Sequence, residues 1–182
     1  DKDEREIASA NKVYGLLPDD QKEEYIKIVD RYIDMVYRIA LSGCKNTFDA
    51  DDVVQNTFMK LLKYKKSFES DVHIKNWLIK VAVNECNSIW SSSWRKRNIA
   101  LSEDFDGIYN EPVFTDTGQS RMYESLMELN QKYRQPLYLY YYEELSIKEI
   151  AKVLRISETS VTTRLQRGRQ KIREKMGGQK NE

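Results

Sequence analysis

Glu144-Leu145-Ser146-Ile147-Lys148-Glu149-Ile150-Ala151, then Leu154-Arg155-Ile156-Ser157, then Val161-Thr162-Thr163-Arg164-Leu165-Gln166-Arg167-Gly168-Arg169 read as two short helices joined by a tight connector. Ser146 and Glu149 have the S-x-x-E spacing of a capping box, in which each side chain satisfies a backbone N–H of the first helical turn. Ile147, Ile150, Ala151 and Leu154 form one apolar stripe behind it, and Ser157 restarts the pattern as a second N-cap. Two helices so closely joined must cross steeply, which is the helix-turn-helix arrangement. On the second helix Val161, Leu165 and Ile172 share a face, with Gly168 allowing close approach of a neighbour. Ser160, Thr162, Thr163, Gln166 and Arg167 point elsewhere, at spacings that reach base edges when such a helix lies in a major groove. Arg164, Arg169, Lys171, Arg173 and Lys175 then meet phosphates, so duplex DNA is the first partner these residues suggest. The plainer alternative, cations complementing a helix C-terminus, leaves the paired caps and the connector unexplained.

The 182 residues carry 30 Lys and Arg against 29 Asp and Glu, a formal +1 that conceals a segregation. Residues 98–120 hold Glu103, Asp104, Asp106, Glu111 and Asp116 with no cation, whereas 164–175 hold six cations against Glu174 alone. A near-neutral total therefore does not argue against nucleic-acid binding. No apolar run nears the roughly 20 residues of a membrane span and no signal-peptide pattern is present, so a cytoplasmic protein is expected. Cys44 and Cys86 stand alone in helical patterns without metal-spaced neighbours and read as buried free thiols. There is one histidine, no glycine-rich phosphate loop, no metal-spaced cluster and no paired nucleophile and base. The expectation is accordingly no enzyme, no cofactor, no metal and no small-molecule substrate.

Apolar residues Tyr25, Ile28, Val29, Tyr32, Ile33, Val36, Ile39 and Ala40 recur at three and four, predicting a helix over 19–41. A second helix is expected from Asp49 or Ala50 to about Lys65. A third, from about His73, places Ile74, Trp77, Leu78, Val81, Ala82, Cys86 and Ile89 on one side; Trp77 reads as core. Ile7, Val13, Leu16 and Leu17 precede these helices as an extension. Residues 98–119 lose the periodicity and read as a linker. The helical pattern then returns with Met122, Tyr123, Leu126 and Met127. It continues through Leu137 and Tyr138, with Pro136 placed in a first turn, where its missing N–H matters least. The expected fold is all-α: an extension (1–21), a helical domain (22–97), a flexible acidic linker (98–119) and a helix-turn-helix domain (120–182).

Two further segments complete the reading. Asp51-Asp52-Val53-Val54-Gln55-Asn56-Thr57-Phe58 looks like a D-x-V-Q-x-x-F signature, and Asn76-Trp77-Leu78-Ile79-Lys80-Val81-Ala82-Val83-Asn84 is similar to W-L-x-x-I-A-x-N. In this order, and with the C-terminal motif, they make the chain resemble a sigma-70 family factor of the small extracytoplasmic-function type, over roughly residues 22–176. The resemblance implies that Asp51, Asp52, Gln55 and Lys60 form the surface that docks on core RNA polymerase. It places minus-10 promoter opening on residues 66–75 and the helix that follows. Opening must hold an extruded base and track a displaced strand with aromatic and basic groups; Phe68, His73, Lys75, Asn76, Lys80 and Asn84 are available for it. Trp90 and Trp94 with Arg95, Lys96 and Arg97 suit a backbone contact. Minus-35 recognition falls to Ser160, Thr162, Thr163, Arg164, Gln166, Arg167, Arg169 and Lys171.

By the same resemblance the partners are core polymerase, promoter DNA and an anti-sigma factor, in such systems frequently membrane-anchored. Two features depart from the family pattern. Residues 87–93, Asn-Ser-Ile-Trp-Ser-Ser-Ser, replace an Asp-Tyr or Arg-rich continuation, and Gly168 stands where alanine is usual, at a helix-propensity cost of up to about 1 kcal/mol. The competing reading is a stand-alone helix-turn-helix regulator with an N-terminal ligand-sensing or dimerisation domain, which would bind its operator tightly without polymerase.

Overall fold

The computed structural model describes residues 8, 11, 12, 14–97 and 117–178, all helices and short connections with no strand among them. In chain order the helices are α1 (Asp19–Cys44), α2 (Thr47–Leu62), α3 (Asp71–Arg97), α4 (Thr117–Met127), α5 (Gln131–Tyr141), α6 (Ile147–Leu154) and α7 (Glu158–Gly178). The expected linker lies mostly outside the described residues, as do Ile7 and Val13.

α1 begins directly after Pro18, with Asp19 and Asp20 opposing the positive end of the helix dipole, and stops where Lys45 turns left-handed. α2 opens earlier than expected. Asn46 is its N-cap and accepts from the Asp49 N–H at 2.8 Å, while the Asp49 carboxylate accepts from Asn46 Nδ2 at 2.8 Å. Asp49 is therefore the third residue of the first turn, not the start. α2 ends at Leu62, short of Lys65, and α3 begins at Asp71, two residues before His73. Val36, Ile39, Val53, Leu78, Ile79 and Val83 are at most 1% exposed and form the core of this three-helix module. Ile33 does not join them. It is 40% exposed, because it lies at the edge of the α1 stripe on the side of Ile26, whereas Tyr25, Val29, Tyr32 and Val36 along the stripe's centre pack on the core.

The second module packs α4 to α7 around Leu126, Leu137, Tyr138, Ile150, Val161 and Leu165. Pro136 is not in a first turn. Asn130 caps α5 by accepting from the Lys132 N–H at 3.2 Å, so the helix starts well before the proline, which lies buried in its interior. The bond it withholds from the Lys132 carbonyl costs helix stability, and burial of its ring against the module core offsets part of that.

The capping box of α6 is complete: the Glu149 N–H donates to Ser146 Oγ at 3.2 Å and the Ser146 N–H to the Glu149 carboxylate at 2.8 Å. The Ser146 hydroxyl also donates to the Glu149 carboxylate at 2.7 Å, and this bond first, then that from the Ser146 N–H, holds the Glu149 carboxyl below its ordinary range. A depressed folded value means that this stabilisation is present above the ordinary carboxylate range and is lost as pH falls through the depressed one. Ser146→Ala should cost about 1 kcal/mol at neutral pH. Urea titrations of both chains should show that difference shrinking as the solution is acidified, and a pH-independent gap would contradict the box.

The two modules touch. α5 lies against α1, and α6, the first helix of the helix-turn-helix, lies against α3.

Candidate nucleic-acid interface

α7 is divided lengthwise. Val161, Leu165, Gly168 and Ile172 are buried at intervals of three and four, facing α5. A Cβ on Gly168 would lie 2.5 Å from Leu137 Cδ1 and 3.4 Å from Tyr133 Cβ, so the glycine that weakens the isolated helix is what allows α5 and α7 to close. Ser157 caps this helix by accepting from the Ser160 N–H at 3.1 Å. On the other side Gln166, Arg167 and Lys171 are exposed and Ser160, Thr162, Thr163 and Arg164 half-buried. Thr162 donates its hydroxyl to the Glu158 carbonyl at 3.0 Å.

The cations of α7 are not equivalent. Arg169 donates from Nε to the Tyr141 hydroxyl at 2.7 Å, and its guanidinium lies 5.4 Å and 5.5 Å from the ring centres of Tyr140 and Tyr141. Lys175 pairs with Glu128 at 2.6 Å. Lys171 lies 5.8 Å over the Tyr133 ring, and Lys132 and Arg167 reach the phenol oxygen of the same residue. This lining of Tyr133, Tyr140 and Tyr141 was not read from the sequence, where the three appear only as members of the helical pattern over 131–141.

On the first module His73, Asn76, Trp77, Lys80 and Asn84 fall within one stripe of α3, at helical spacings of three and four. The stripe ends in an aromatic cluster. Tyr64 stacks on Phe68 at 4.9 Å, Trp77 lies 4.9 Å from Tyr64 and 5.8 Å from Phe68, and His73 meets the edge of Phe68 at 5.3 Å. Trp77 is half-buried there, serving both the core and the cluster, and Tyr64 is a member the sequence reading omitted. His73 is oriented by the Glu69 N–H, which donates to Nδ1 at 3.3 Å. Lys75 lies on the opposite side of α3 and reaches Glu143 of the second module at 4.0 Å. Arg95, Lys96 and Arg97 occupy the last turn of α3, their side chains outside the described residues, as is that of Trp94.

Asp51, Asp52 and Gln55 share an exposed face of α2. Lys60 points away from it and pairs with the buried Glu85 of α3. Phe48, four residues before Asp52 and 83% exposed, shares the acidic face; it precedes the start expected for this helix and is not among the site residues read from the sequence.

Residues 28–96 match the family described as Sigma-70 region 2, and residues 119–172 match Sigma-70, region 4. The ECF RNA polymerase sigma factor SigM of Bacillus subtilis is 32% identical over 152 residues, spanning 81% of this chain and 91% of the relative. The chain belongs to the sigma-70 family. It is a sigma factor of the ECF kind, serving promoter recognition. SigW of the same organism is 26% identical over 168 residues, spanning 85% of the sigma factor and 90% of the relative. Among solved structures, RpoE from Bartonella quintana, seen with the anti-sigma factor NepR, superposes with a TM-score of 0.66 at 21% identity, covering 86% of this chain and 96% of that one. CnrH, seen with the cytosolic domain of CnrY, gives 0.57 at 20% identity over 93% and 95%. These likenesses establish the fold. A ligand-sensing N-terminal domain is not favoured, since the region 2 match occupies its place. No described helix of the sigma factor is long and apolar enough to cross a membrane.

Proposed function

We propose that this cytoplasmic sigma factor does no covalent chemistry and divides initiation between its modules. α2 docks on core RNA polymerase through Asp51, Asp52 and Gln55. The face of α3 made by His73, Asn76, Lys80 and Asn84, with Phe68 and its aromatic neighbours, opens the minus-10 element. α7 reads the minus-35 element as duplex, with Gln166 and Arg167 at base edges and Arg164 and Lys171 on phosphates. Tethering two weak grips on one DNA raises their joint affinity through effective concentration. The acids of 103–116 belong to that tether and, by resemblance, occupy a cationic nucleic-acid channel of the polymerase. An anti-sigma factor is the natural inhibitor, in view of the partners of the relatives RpoE and CnrH.

The observation that carries this reading is the α3 stripe ending in the Tyr64, Phe68 and Trp77 cluster, which supplies stacking surface and hydrogen-bonding side chains on one side of one helix. Run-off transcription with purified core enzyme on a genomic fragment library tests it, and failure to direct any initiation would overturn it. Within the minus-35 grip, Arg167→Ala should cost about 1–3 kcal/mol at one promoter position if the side chain reads a base. An equal loss on every sequence, measured by competition among single-base promoter variants, would reassign Arg167 to the phosphate backbone.

A further inference from the structure

Cys44 and Cys86 are both free thiols, but they do not stand alone. Cys44 closes α1 and is half-buried; Cys86 is buried on α3. The Cys86 thiol donates toward the Ala40 carbonyl at 3.8 Å, and by helical spacing that carbonyl accepts from the Cys44 N–H. Cys86 Sγ also lies 2.6 Å from where a Cβ on Gly43, the neighbour of Cys44, would stand. The bare backbone of Gly43 is what lets α3 bring a sulfur this near the end of α1. The two thiols are hydrogen-bond partners, and that bond first, then burial, raises the Cys86 thiol well above its ordinary range. The end of α1 is held from two directions. Arg134 donates to the Ser42 and Gly43 carbonyls at 2.5 Å and 3.2 Å, and Asn46 Nδ2 donates to the Cys44 carbonyl at 3.3 Å. Gln135 supplies an independent sign. It is 5% exposed, its Nε2 lies 3.4 Å from the same Gly43 position, and this donor has no acceptor among the described residues. A buried donor without an acceptor is costly, and a sulfur that becomes anionic or gains an oxygen at this spot would give it one.

We propose that Cys44 and Cys86 are a site of oxidation by hydroperoxides, Cys44 the attacked thiol and Cys86 the resolving one, and that the disulfide they form staples α1 to α3. Exposure assigns the roles, since peroxide reaches Cys44 from solvent while Cys86 is enclosed. The Cys44 sulfur, as thiolate, attacks the terminal peroxide oxygen. An S–O bond forms, the O–O bond breaks, and an alcohol, or water from hydrogen peroxide, leaves with the proton the thiol gave up. Cys86 sulfur then attacks Cys44 sulfur. The S–S bond forms, the S–O bond breaks, and hydroxide departs as water with the Cys86 proton. The pair loses two electrons and the peroxide gains them, so no other oxidant is needed. The bridge closes the loop that contains all of α2, and closing a loop of that length restricts the unfolded chain.

The test uses the full chain, reduced, freed of reductant and treated while folded with hydrogen peroxide, glutathione in the same tube reporting the oxidant. Intact mass should fall by two hydrogens, and peptide mapping should join the Cys44 and Cys86 peptides within one chain. The oxidised chain should melt roughly 5 °C or more above the reduced one and return to the lower value with dithiothreitol. With dimedone present, Cys86→Ser should collect the adduct on Cys44, because its sulfenic acid is no longer resolved, whereas Cys44→Ser should collect none on Cys86. Circular dichroism checks that both variants are helical, and if either fails to fold, the mapping of wild type still decides. A chain left reduced while glutathione is consumed, Cys44 carried on to sulfinic acid beside a free Cys86, a bridge between two chains in place of one within a chain, or a bridge that forms only in denaturant would each overturn the site. An oxidised chain that melts no higher than the reduced one would overturn the staple.

Discussion

Asp52→Ala together with Gln55→Ala should abolish co-purification with core RNA polymerase while leaving the unfolding free energy of the chain within about 0.5 kcal/mol of wild type. Both side chains are exposed on α2 and lie one turn apart, so neither is buried in the module core, and exposed substitutions of this kind seldom change stability by more. Phe48 strengthens the expectation. An aromatic ring left 83% exposed beside two acids and an amide is a poor surface residue but a good anchor, and truncating a central aromatic at an interface commonly costs about 2 kcal/mol or more. Phe48→Ala should therefore weaken holoenzyme formation by at least tenfold, again without loss of stability. Lys60→Ala should differ in kind. Its amine neutralises Glu85, which is 9% exposed, so removing it strands a buried charge and should lower the melting temperature. Holoenzyme recovered at wild-type yield from the Asp52/Gln55 double variant would remove the docking face; an unchanged melting temperature for Lys60→Ala would remove the distinction.

What was legible beforehand follows from how local each determinant is. The helix-turn-helix could be read because its caps are side chains bonding three residues away, Ser146 with Glu149 and Ser157 with the Ser160 N–H. The α3 stripe was legible for a similar reason, as helical period alone sets His73, Asn76, Lys80 and Asn84 on one side. Errors arose where a nearby residue imitated the true signal. Asp49 resembled a helix start because it is acidic, although Asn46 makes the cap, and Pro136 resembled a first-turn proline because its context is otherwise helical. Ile33 keeps the three-and-four spacing but lies at the edge of the α1 stripe rather than along its centre, and spacing alone does not say where the buried arc ends.

Other features had no sequence signal at all. Arg134 reaches carbonyls 91 and 92 residues away, and Lys75 finds Glu143 across the module boundary. Charged residues are nearly always solvated, and only tertiary contact makes these an exception. Arg169 shows the same limit within one module. Its spacing on α7 suits a phosphate contact, yet Tyr140 and Tyr141 from α5 already hold its guanidinium, so its share in DNA binding depends on whether duplex can compete with two rings and a phenol.

The remaining large effect is expected at Gly43. On propensity alone Gly43→Ala should stabilise α1 by up to about 1 kcal/mol. Packing reverses the sign. An added Cβ would stand 2.6 Å from Cys86 Sγ and 2.7 Å from Cys86 Cβ, with Gln135 Nε2 at 3.4 Å. The Cys86 Cβ is fixed to the backbone of α3, so relief requires α1 and α3 to separate, and with them the carbonyls that Arg134 binds. Overpacking of this kind costs about 1–3 kcal/mol before propensity is credited, and the lost Arg134 geometry adds to it. The net expectation is a destabilisation of about 2 kcal/mol, read as a melting temperature roughly 5 °C lower. Gly168→Ala is the informative contrast. Its first obstacle, Leu137 Cδ1 at 2.5 Å, is the end of a side chain that can rotate, so the same alanine should cost less there. Cys86→Gly removes the two atoms that the methyl introduced by Gly43→Ala would strike, and the double variant should be less destabilised than the sum of the single changes. Strict additivity, or a Gly43→Ala chain as stable as wild type, would mean that α1 and α3 do not approach this closely in solution.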